Sequence, residues 1–328
     1  MGNELLARRK FGNTSLEVPA VAMGCAPLGD MPAAFLYGVP EDEAIATVKA
    51  VLASPFDYID TAALYGDGVS EKRVGLALEE LGGLPEGAVL QTKAGRNPVD
   101  NDFSGETVKR RFERSLELLG VDHLDVVFLH DAEWTTFEAA MAPGGPVEVL
   151  LGYQEQGVFD YLGVASGPND VELQYIETGL FDAVITHNRY TLLNINADPL
   201  IDAAAARGIA VLNAAPYGSG MLSRGPESYP RYAYQQAPDH LIARTERIRE
   251  ICDRYGIPLA AAALQFSMLD PRITVTIVGM SRPERVASTV ELASIDIPAE
   301  VWDEIDALGP ADQVDPEVDR FPELKRER

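Results

Sequence analysis

Short apolar runs alternate along the whole chain with longer segments in which apolar positions recur at helical spacing. The short runs are almost continuously apolar, as in the stretch Leu-Asp-Val-Val-Phe-Leu at 124–129, which is typical of parallel strands covered by helices on both faces. Eight such strands are predicted, at 20–24, 58–60, 89–93, 124–130, 162–165, 183–188, 210–214 and 274–278.

The segments between the strands are amphipathic and predict helices. At 106–119, Val108, Phe112 and Leu119 fall on one face of a helix, and charged residues fall on the other. Strict alternation of strand and helix favours an α/β fold, the closed (β/α)8 TIM barrel, over an open doubly wound sheet. The open sheet should also carry a Gly-x-Gly-x-x-Gly turn after its first strand, and the sequence contains neither this turn nor a P-loop.

The regions outside the predicted strands and helices predict additions to this barrel. Ahead of the first barrel strand, the turn sequence Phe-Gly-Asn-Thr-Ser at 11–15 predicts a β-hairpin that plugs the bottom of the barrel. Long loops are predicted at 131–146 and 215–239, over the C-terminal face, where loops of such length are usually functional. We expect one barrel domain over residues 1–328, with 310–328 as an extended C-terminal tail.

The charge balance narrows the choice of partners. The 328 residues include 51 acids and 27 bases, a formal net charge of −24, which repels nucleic acid and anionic membrane surfaces. The two cysteines, Cys25 and Cys252, form no CxxC pair, so neither a disulfide framework nor a metal site is expected. The sequence shows neither a bilayer-spanning apolar run nor a signal-peptide pattern. We therefore expect a cytoplasmic protein that acts on a small molecule, alone or as a homo-oligomer.

Titratable residues stand at the ends of predicted strands, where a barrel places its active site. Asp60 ends the second strand, Lys93 the third and His130 the fourth, and Tyr65 follows Asp60 in the next loop. Taken singly, Asp60 could be a turn residue and His130 a hydrogen-bonded structural residue. Lys93 is harder to explain in that way, because a buried lysine is rare unless it is paired. The coincidence of the four at one end of the barrel predicts a functional site.

Together these side chains suit proton transfer to or from an alcohol or carbonyl oxygen. A tyrosine hydroxyl, with a reference pKa of about 10, is a poor acid or base at neutral pH. The Lys93 ammonium is expected to stabilise the Tyr65 phenolate and lower that pKa, and the Asp60 carboxylate is expected to hold the ammonium in place. The set lacks a nucleophile and a metal cage, so hydrolysis fits it poorly.

In order and spacing, Asp60, Tyr65, Lys93 and His130 resemble the catalytic tetrad of the aldo-keto reductases. The resemblance extends over nearly the whole chain, through motifs at 58–62, 65–71, 115–125, 262–266 and 278–286. It implies a (β/α)8 barrel that transfers hydride between a nicotinamide cofactor, NAD or NADP, and a carbonyl or alcohol. It also implies that Tyr65 is the general acid–base, that Lys93 tunes it and that Asp60 anchors Lys93. His130 would orient the substrate oxygen.

Finer features resemble one branch of that family, which includes D-threo-aldose 1-dehydrogenase, L-fucose dehydrogenase and pyridoxal 4-dehydrogenase. They lie at 130–133 with 143–145, at 189–193 and at 213–222. The branch implies oxidation of an aldose at C1 to the lactone, with Asp131, Trp134 and Arg189 as substrate residues. Reduction of aldehydes or ketones, oxidation of pyridoxal, and a non-enzymatic role as a cofactor-binding regulatory subunit stay open.

The resemblance also implies where the cofactor binds. Ser166, with either His187 or Asn188, would hold the carboxamide, and the glycine-rich turn after the seventh strand would approach the pyrophosphate. Gly279 stands where many NADP-preferring members carry lysine, which favours NAD, although Arg282 could hold a 2′-phosphate. The implied cofactor residues are Ser166, His187, Asn188, Pro216, Tyr217, Gly218, Ser219, Gly220, Leu222, Gly279, Met280, Ser281, Arg282, Arg285 and Thr289.

Overall fold

Eight parallel strands close into a barrel in the computed structural model, which describes residues 5–31 and 36–317. Each barrel strand is hydrogen-bonded to the next along the chain, and the last pairs with the first. This confirms the predicted (β/α)8 fold. In chain order the strands are β1 (Arg9–Lys10), β2 (Glu17–Val18), then the barrel strands β3 (Val21–Gly24), β4 (Tyr58–Asp60), β5 (Val89–Gly95), β6 (Leu124–His130), β7 (Phe159–Ala165), β8 (Ala183–His187) and β9 (Ala210–Ala214), the short β10 (Arg231–Tyr232) and β11 (Gln235–Gln236), and the last barrel strand β12 (Val275–Gly279).

Every predicted barrel strand is present, with the largest differences at two ends. Strand β7 begins at Phe159 rather than at 162, because the exposed Asp160 interrupts the apolar pattern at the bottom of the barrel. Strand β5 continues past Lys93 to Gly95.

Helices follow the barrel strands and cover their outer faces. Among the described residues, no helix is both long enough and apolar enough to cross a membrane. The α-helices are α1 (Glu41–Leu52), α2 (Val69–Leu81), α3 (Gly105–Leu119), α4 (Phe137–Met141), α5 (Pro146–Glu155), α6 (Asn169–Ile176), α7 (Asp198–Ala206), α8 (Met221–Arg224), α9 (Asp239–Arg254), α10 (Leu259–Leu269), α11 (Pro283–Ser294) and α12 (Ala299–Asp306), with 3-10 turns at Ala26–Gly29, Ala132–Trp134 and Gly218–Gly220.

Helix α3 shows how local sequence sets these boundaries. It begins after Ser104, whose hydroxyl accepts a hydrogen bond from the Thr107 backbone N–H at 3.3 Å. It ends at Gly120, whose φ of 67° lies in the left-handed region that favours glycine. The face predicted to be apolar, which includes Val108 and Phe112, is buried against the barrel.

Strands β1 and β2 form the predicted antiparallel hairpin at the bottom of the barrel. Phe11, at its turn, is completely buried and packs in the barrel interior with Val18, Tyr58 and Phe128. The ring of Phe11 also lies 6.3 Å from that of Tyr161, centroid to centroid. The hairpin therefore closes the barrel at the end opposite the predicted active site.

We expect Phe11→Ala to lower the free energy of unfolding by about 3–5 kcal/mol, because it opens a cavity in the closed end of the barrel. Urea denaturation followed by circular dichroism measures the loss. The matched control is Lys10→Ala, which changes the preceding, exposed position at the end of β1. A loss below about 1 kcal/mol for Phe11→Ala would show that the hairpin contributes little to the core.

The long loops predicted over the C-terminal face contain more regular structure than their sequences indicated. Segment 131–146 includes the 3-10 turn Ala132–Trp134 and helix α4, which has 5 residues. Segment 215–239 includes the turn Gly218–Gly220, helix α8 of 4 residues and the hairpin of β10 and β11. Elements this short do not repeat an apolar position often enough for periodicity to be read from sequence.

The chain after α12 is extended where it is described, and it packs against the loop that follows β8. Asp312 bridges to Asn194, and the Ile195 backbone N–H donates to the Asp312 carbonyl at 2.7 Å. The Asn194 side chain donates to the Val314 carbonyl at 2.8 Å. These contacts carry the chain back to the mouth of the barrel as far as residue 317. The remainder of the predicted tail, 318–328, lies outside the described residues.

Candidate active site

Neighbouring strands bring the predicted quartet together at the C-terminal face of the barrel. Asp60 is the last residue of β4, His130 is the last residue of β6, and Lys93 lies near the end of β5 between them. Tyr65 is in the loop that follows β4. Asp60 and Lys93 are 3% and 2% exposed, so their charges are enclosed by protein.

The Lys93 ammonium is the centre of the hydrogen-bond network. Its Nζ donates to Asp60 Oδ1 at 2.5 Å, to the Thr61 carbonyl at 2.8 Å and to Tyr65 Oη at 3.2 Å. An ammonium has three donors, and all three are used. Asp60 Oδ1 also accepts from Gln91 Nε2 at 2.5 Å. Lys93 is therefore held in one position, with its charge aimed at the tyrosine oxygen.

The pKa of Tyr65 does not behave as the sequence predicted. The enclosed position of the hydroxyl, and after it the negative charge of Asp60, raise this pKa well above its usual value. The predicted net lowering is therefore wrong, because burial of the hydroxyl and the charge of Asp60 outweigh the effect expected of the ammonium. Tyr65 is accordingly a neutral phenol at physiological pH and carries a proton that it can donate.

His130 stands beside the phenol as a neutral imidazole. Burial, followed by the charge of Lys93, holds the pKa of His130 well below its usual value. Its ring meets that of Tyr65 edge-on, with centroids 5.9 Å apart. Its Nε2 lies 3.5 Å from Asp131 Oδ1, and its buried Nδ1 has no hydrogen-bond partner among the described residues. A neutral histidine in this position can orient a substrate oxygen by hydrogen bonding.

A cavity of about 1320 Å³ opens above the quartet and continues across the mouth of the barrel. Its volume exceeds the roughly 300–1,000 Å³ typical of pockets for one small ligand, so it has room for a dinucleotide and a substrate together. It is lined by the quartet and by most of the other predicted site residues, namely Asp131, Trp134, Ser166, His187, Arg189, Pro216, Tyr217, Ser219, Gly220, Gly279, Ser281, Arg282, Arg285 and Thr289.

Four of the predicted cofactor residues do not line this cavity. Asn188 is fully buried, with its Nδ2 lacking a hydrogen-bond partner among the described residues, and its Oδ1 accepts from Ser219 Oγ at 3.1 Å. Gly218 is required for packing, since a Cβ there would lie 2.4 Å from the Tyr232 ring. The other two are Leu222 and Met280, which are buried in apolar clusters.

One end of the cavity has the donor set of an anion site. Arg282 and Arg285 line it at the start of α11, and neither side chain is paired with a carboxylate among the described residues. The N-terminus of a helix and two guanidinium groups favour negative charge. Ser219 and Gly220 also line the cavity, and their φ angles are 62° and 129°. These groups fit the phosphates of a dinucleotide.

The other end, near the quartet, has polar groups suited to an amide. Ser166 is the first residue after β7, and His187 is the last residue of β8. The Ser166 hydroxyl donates to Glu133 Oε2 at 2.6 Å, and His187 Nε2 lies 3.0 Å from Glu317 Oε2. Hydrogen-bond donors and hydrogen-bond acceptors are thus both present where a carboxamide would be held.

The three predicted substrate residues have different surroundings. Asp131 Oδ2 lies 3.7 Å from Arg96 Nη2, and the Arg96 guanidinium stacks on the Trp134 ring at 4.0 Å. Arg189 is 1% exposed, and it donates to Glu317 at 2.8 Å and to a second tail carboxylate at 2.7 Å. Its guanidinium therefore anchors the C-terminal segment, and its expected contact with substrate stays a prediction.

Several cavity residues were missed by reasoning from the sequence, among them Arg96, Glu133 and Glu317. Arg96 comes three residues after Lys93, and Glu133 lies in a loop already predicted to cover the mouth, so position alone could have indicated both. Glu317 comes from the C-terminal segment, and no pattern in the sequence connects it with the barrel.

Comparisons with known proteins agree with this geometry. The sequence pattern described as "Aldo/keto reductase family" matches residues 20–310. The chain is 32% identical to D-threo-aldose 1-dehydrogenase of a Pseudomonas species, over 88% of this chain and 94% of that protein. It is 29% identical to pyridoxal 4-dehydrogenase of Microbacterium luteolum, over 90% of this chain and 95% of that protein.

A plant enzyme and a solved structure are also similar. L-galactose dehydrogenase of Arabidopsis thaliana is 29% identical, over 92% of this chain and 93% of that protein. The structure of an aldo-keto reductase of Bacillus halodurans in its holo form superposes with a TM-score of 0.74 at 25% identity, covering 93% of this chain and 97% of that one.

Proposed function

The chain belongs to the aldo/keto reductase family of NAD(P)-dependent oxidoreductases, and from this premise we propose that it oxidises an aldose at C1 to the lactone. The observation that carries the proposal is the quartet of Asp60, Tyr65, Lys93 and His130, in which the charges of Asp60 and Lys93 are buried, facing a cavity rimmed by polar side chains. The similarity to D-threo-aldose 1-dehydrogenase over most of both chains supports the choice of substrate class.

In this proposal Tyr65 moves the proton. When bound, the nicotinamide supplies the acceptor for the hydride that leaves C1, or returns it in the reverse reaction. Tyr65 Oη takes the proton of the C1 hydroxyl in oxidation and gives it back in reduction. Because the resting phenol is neutral, oxidation requires the phenolate to form first, and Lys93 Nζ at 3.2 Å is the group that stabilises it. The neutral His130 fixes the direction from which the substrate oxygen approaches.

For the cofactor we propose NAD, held across the mouth of the barrel. Ser166 and His187 would hold the carboxamide, and Arg282 with Arg285 would hold the phosphates. Gly279 lines the cavity without a side chain, so no lysine is present there to meet a 2′-phosphate.

A spectrophotometric screen tests this function. Aldoses of the D-threo and L-fuco configurations, pyridoxal and simple aldehydes are assayed with NAD and NADP in both directions, by nicotinamide absorbance. We expect the highest kcat/KM for aldose oxidation with NAD. Pyridoxal is the sharpest competitor, because the 29% identity with pyridoxal 4-dehydrogenase is close to that of the aldose enzyme. Turnover of pyridoxal or a ketone without turnover of any aldose would refute the proposal.

A further inference from the structure

The loop that carries Tyr65 has an unusual backbone. It joins β4 to α2 over residues 61–68, and the three residues after Tyr65 have φ angles of 64° at Gly66, 50° at Asp67 and 92° at Gly68. Left-handed backbone is uncommon for a residue with a side chain, and it persists where the surrounding structure holds it. The contacts that hold this loop therefore determine where the Tyr65 hydroxyl lies.

Part of the loop packs against the 3-10 turn that follows β3. A Cβ added to Gly66 would lie 1.8 Å from the Gly29 carbonyl oxygen, and one added to Gly29 would lie 2.7 Å from the Tyr65 carbonyl carbon. The two backbones are thus in direct contact, which only glycine allows at these positions. Displacement of Tyr65 toward this turn is therefore blocked.

Helix α3 holds the same loop through two arginines. Arg111 donates from Nη2 to the Ala63 carbonyl and from Nη1 to Asp67 Oδ1, both at 3.0 Å. Arg114, one turn further along α3, donates to the Asp67 carbonyl at 3.0 Å. The Arg111 side chain is 11% exposed and that of Arg114 is 47% exposed, so Arg111 makes the more enclosed contact.

The Ala63 peptide group connects Arg111 with the quartet. Its carbonyl accepts the Arg111 guanidinium, and its N–H donates to the backbone carbonyl of Lys93 at 3.1 Å. Lys93 Nζ in turn donates to the Thr61 carbonyl, at the start of the loop, and to Tyr65 Oη. The distance of 3.2 Å between Nζ and Oη is therefore set by how the loop lies against β5.

We propose that Arg111 is a positioning residue for Tyr65, whose guanidinium holds the loop so that the phenol stays within hydrogen-bond reach of Lys93. The inference rests on the proposed function, in which Tyr65 carries the proton, and deepens it by assigning to α3 the group that sets the place of the proton carrier. Arg111 itself does not line the cavity and touches neither the substrate nor the cofactor in this proposal.

The variant Arg111→Met removes the guanidinium and keeps an unbranched side chain. Stopped-flow absorbance of the nicotinamide, on the substrate that the wild type turns over best, gives the rate constant for hydride transfer. We expect this rate constant to fall about 10–100-fold, because a small misplacement of a reacting group is enough to cost that much. KM and the Kd for NADH, measured by fluorescence without substrate, should stay within about two-fold, since Arg111 lies outside the cavity. A loss of affinity as large as the loss of rate would overturn the inference.

The double variant with Tyr65→Phe shows whether Arg111 acts through the tyrosine, because residues that act as a unit are not additive. We expect it to transfer hydride within about two-fold of the rate of Tyr65→Phe alone, since no phenol is left to position. A further loss of the size seen in Arg111→Met would overturn the inference. A loss in Tyr65→Phe with none in Arg111→Met would overturn the inference alone, whereas full activity of Tyr65→Phe would overturn the proposed function with it.

Two further variants of α3 complete the set. Arg111→Lys keeps the positive charge that interacts with the buried carboxyl group of Glu71, and it should therefore fold even if Arg111→Met does not. One ammonium cannot replace the planar fork of the guanidinium, so we expect a loss of about five-fold or more. The matched control is Arg110→Met, because this exposed arginine donates to Thr107 of its own helix at 2.8 Å, and the variant should keep the wild-type rate. A wild-type rate in Arg111→Lys, or equal losses in Arg110→Met and Arg111→Met, would contradict the role of Arg111.

Hydrogen exchange of the protein without cofactor measures how firmly the loop is held. The backbone N–H groups of Ala63, Tyr65 and Ser70 are hydrogen-bonded, so peptides that cover 61–70 should exchange slowly in the wild type. We expect exchange there to be about 10–100-fold faster in both variants of Arg111, the effect of losing hydrogen bonds to a charged group. Strand β6 should exchange at the wild-type rate. Unchanged exchange in the loop, or equal acceleration in β6, would overturn the inference.

Discussion

Tyr65→Phe is expected to lower kcat for hydride transfer about 10²–10⁴-fold, the usual contribution of a general acid–base. The change removes one oxygen atom, which is the atom that meets Lys93 Nζ at 3.2 Å, and it keeps the ring that packs edge-on against His130. The cavity wall is therefore preserved while the proton carrier is lost. Stopped-flow absorbance of the nicotinamide measures the step directly.

The affinity for the cofactor separates this loss from a general disturbance of the site. We expect the Kd for NADH to stay within about two-fold of the wild-type value, because the phenol oxygen is held by Lys93 and not by the predicted cofactor residues. Tyr255→Phe, which removes an exposed hydroxyl bonded to Glu304, is the control and should retain full activity. Unchanged turnover in Tyr65→Phe would show that Tyr65 does not carry the proton.

The fold could be predicted from the sequence because its signals are local and repeated. The barrel strands are nearly continuous apolar runs, as in β6, and the segments between strands show helical spacing, as in α3. The positions of Asp60, Lys93 and His130 followed from the same signal, because a strand end in a barrel fixes where its last side chains lie.

Other features of the site depend on contacts between distant parts of the chain. The rise in the pKa of Tyr65 depends on enclosure of its hydroxyl and on the nearby charge of Asp60, and neither is encoded in spacing along the sequence. The pairing of Arg189 with Glu317 joins residues 128 positions apart, through a segment without periodic pattern. Neighbouring residues in the sequence could not have shown that this arginine binds the C-terminal segment.

Lys93→Met is expected to cause the second large effect, a loss of about 10²–10⁴-fold in the rate of aldose oxidation at neutral pH. Oxidation needs the Tyr65 phenolate, and removal of the ammonium takes away its nearest positive charge while Asp60 continues to repel it. The pKa of Tyr65 therefore rises further. Each unit of rise lowers the phenolate fraction ten-fold at pH values below the pKa, so the pH optimum for oxidation shifts upward.

The same substitution also leaves the Asp60 carboxylate buried without its counter-charge, and this should destabilise the fold by about 3–5 kcal/mol. The double variant with Asp60→Asn and Lys93→Met separates the two effects. Removal of both charges should restore much of the stability, since the Gln91 side chain remains next to position 60, but it should not restore the rate of oxidation. Unfolding curves and pH–rate profiles of the three proteins decide the matter. If the double variant regains wild-type oxidation at neutral pH, the rate loss in Lys93→Met came from the unpaired carboxylate, and Lys93 does not tune Tyr65.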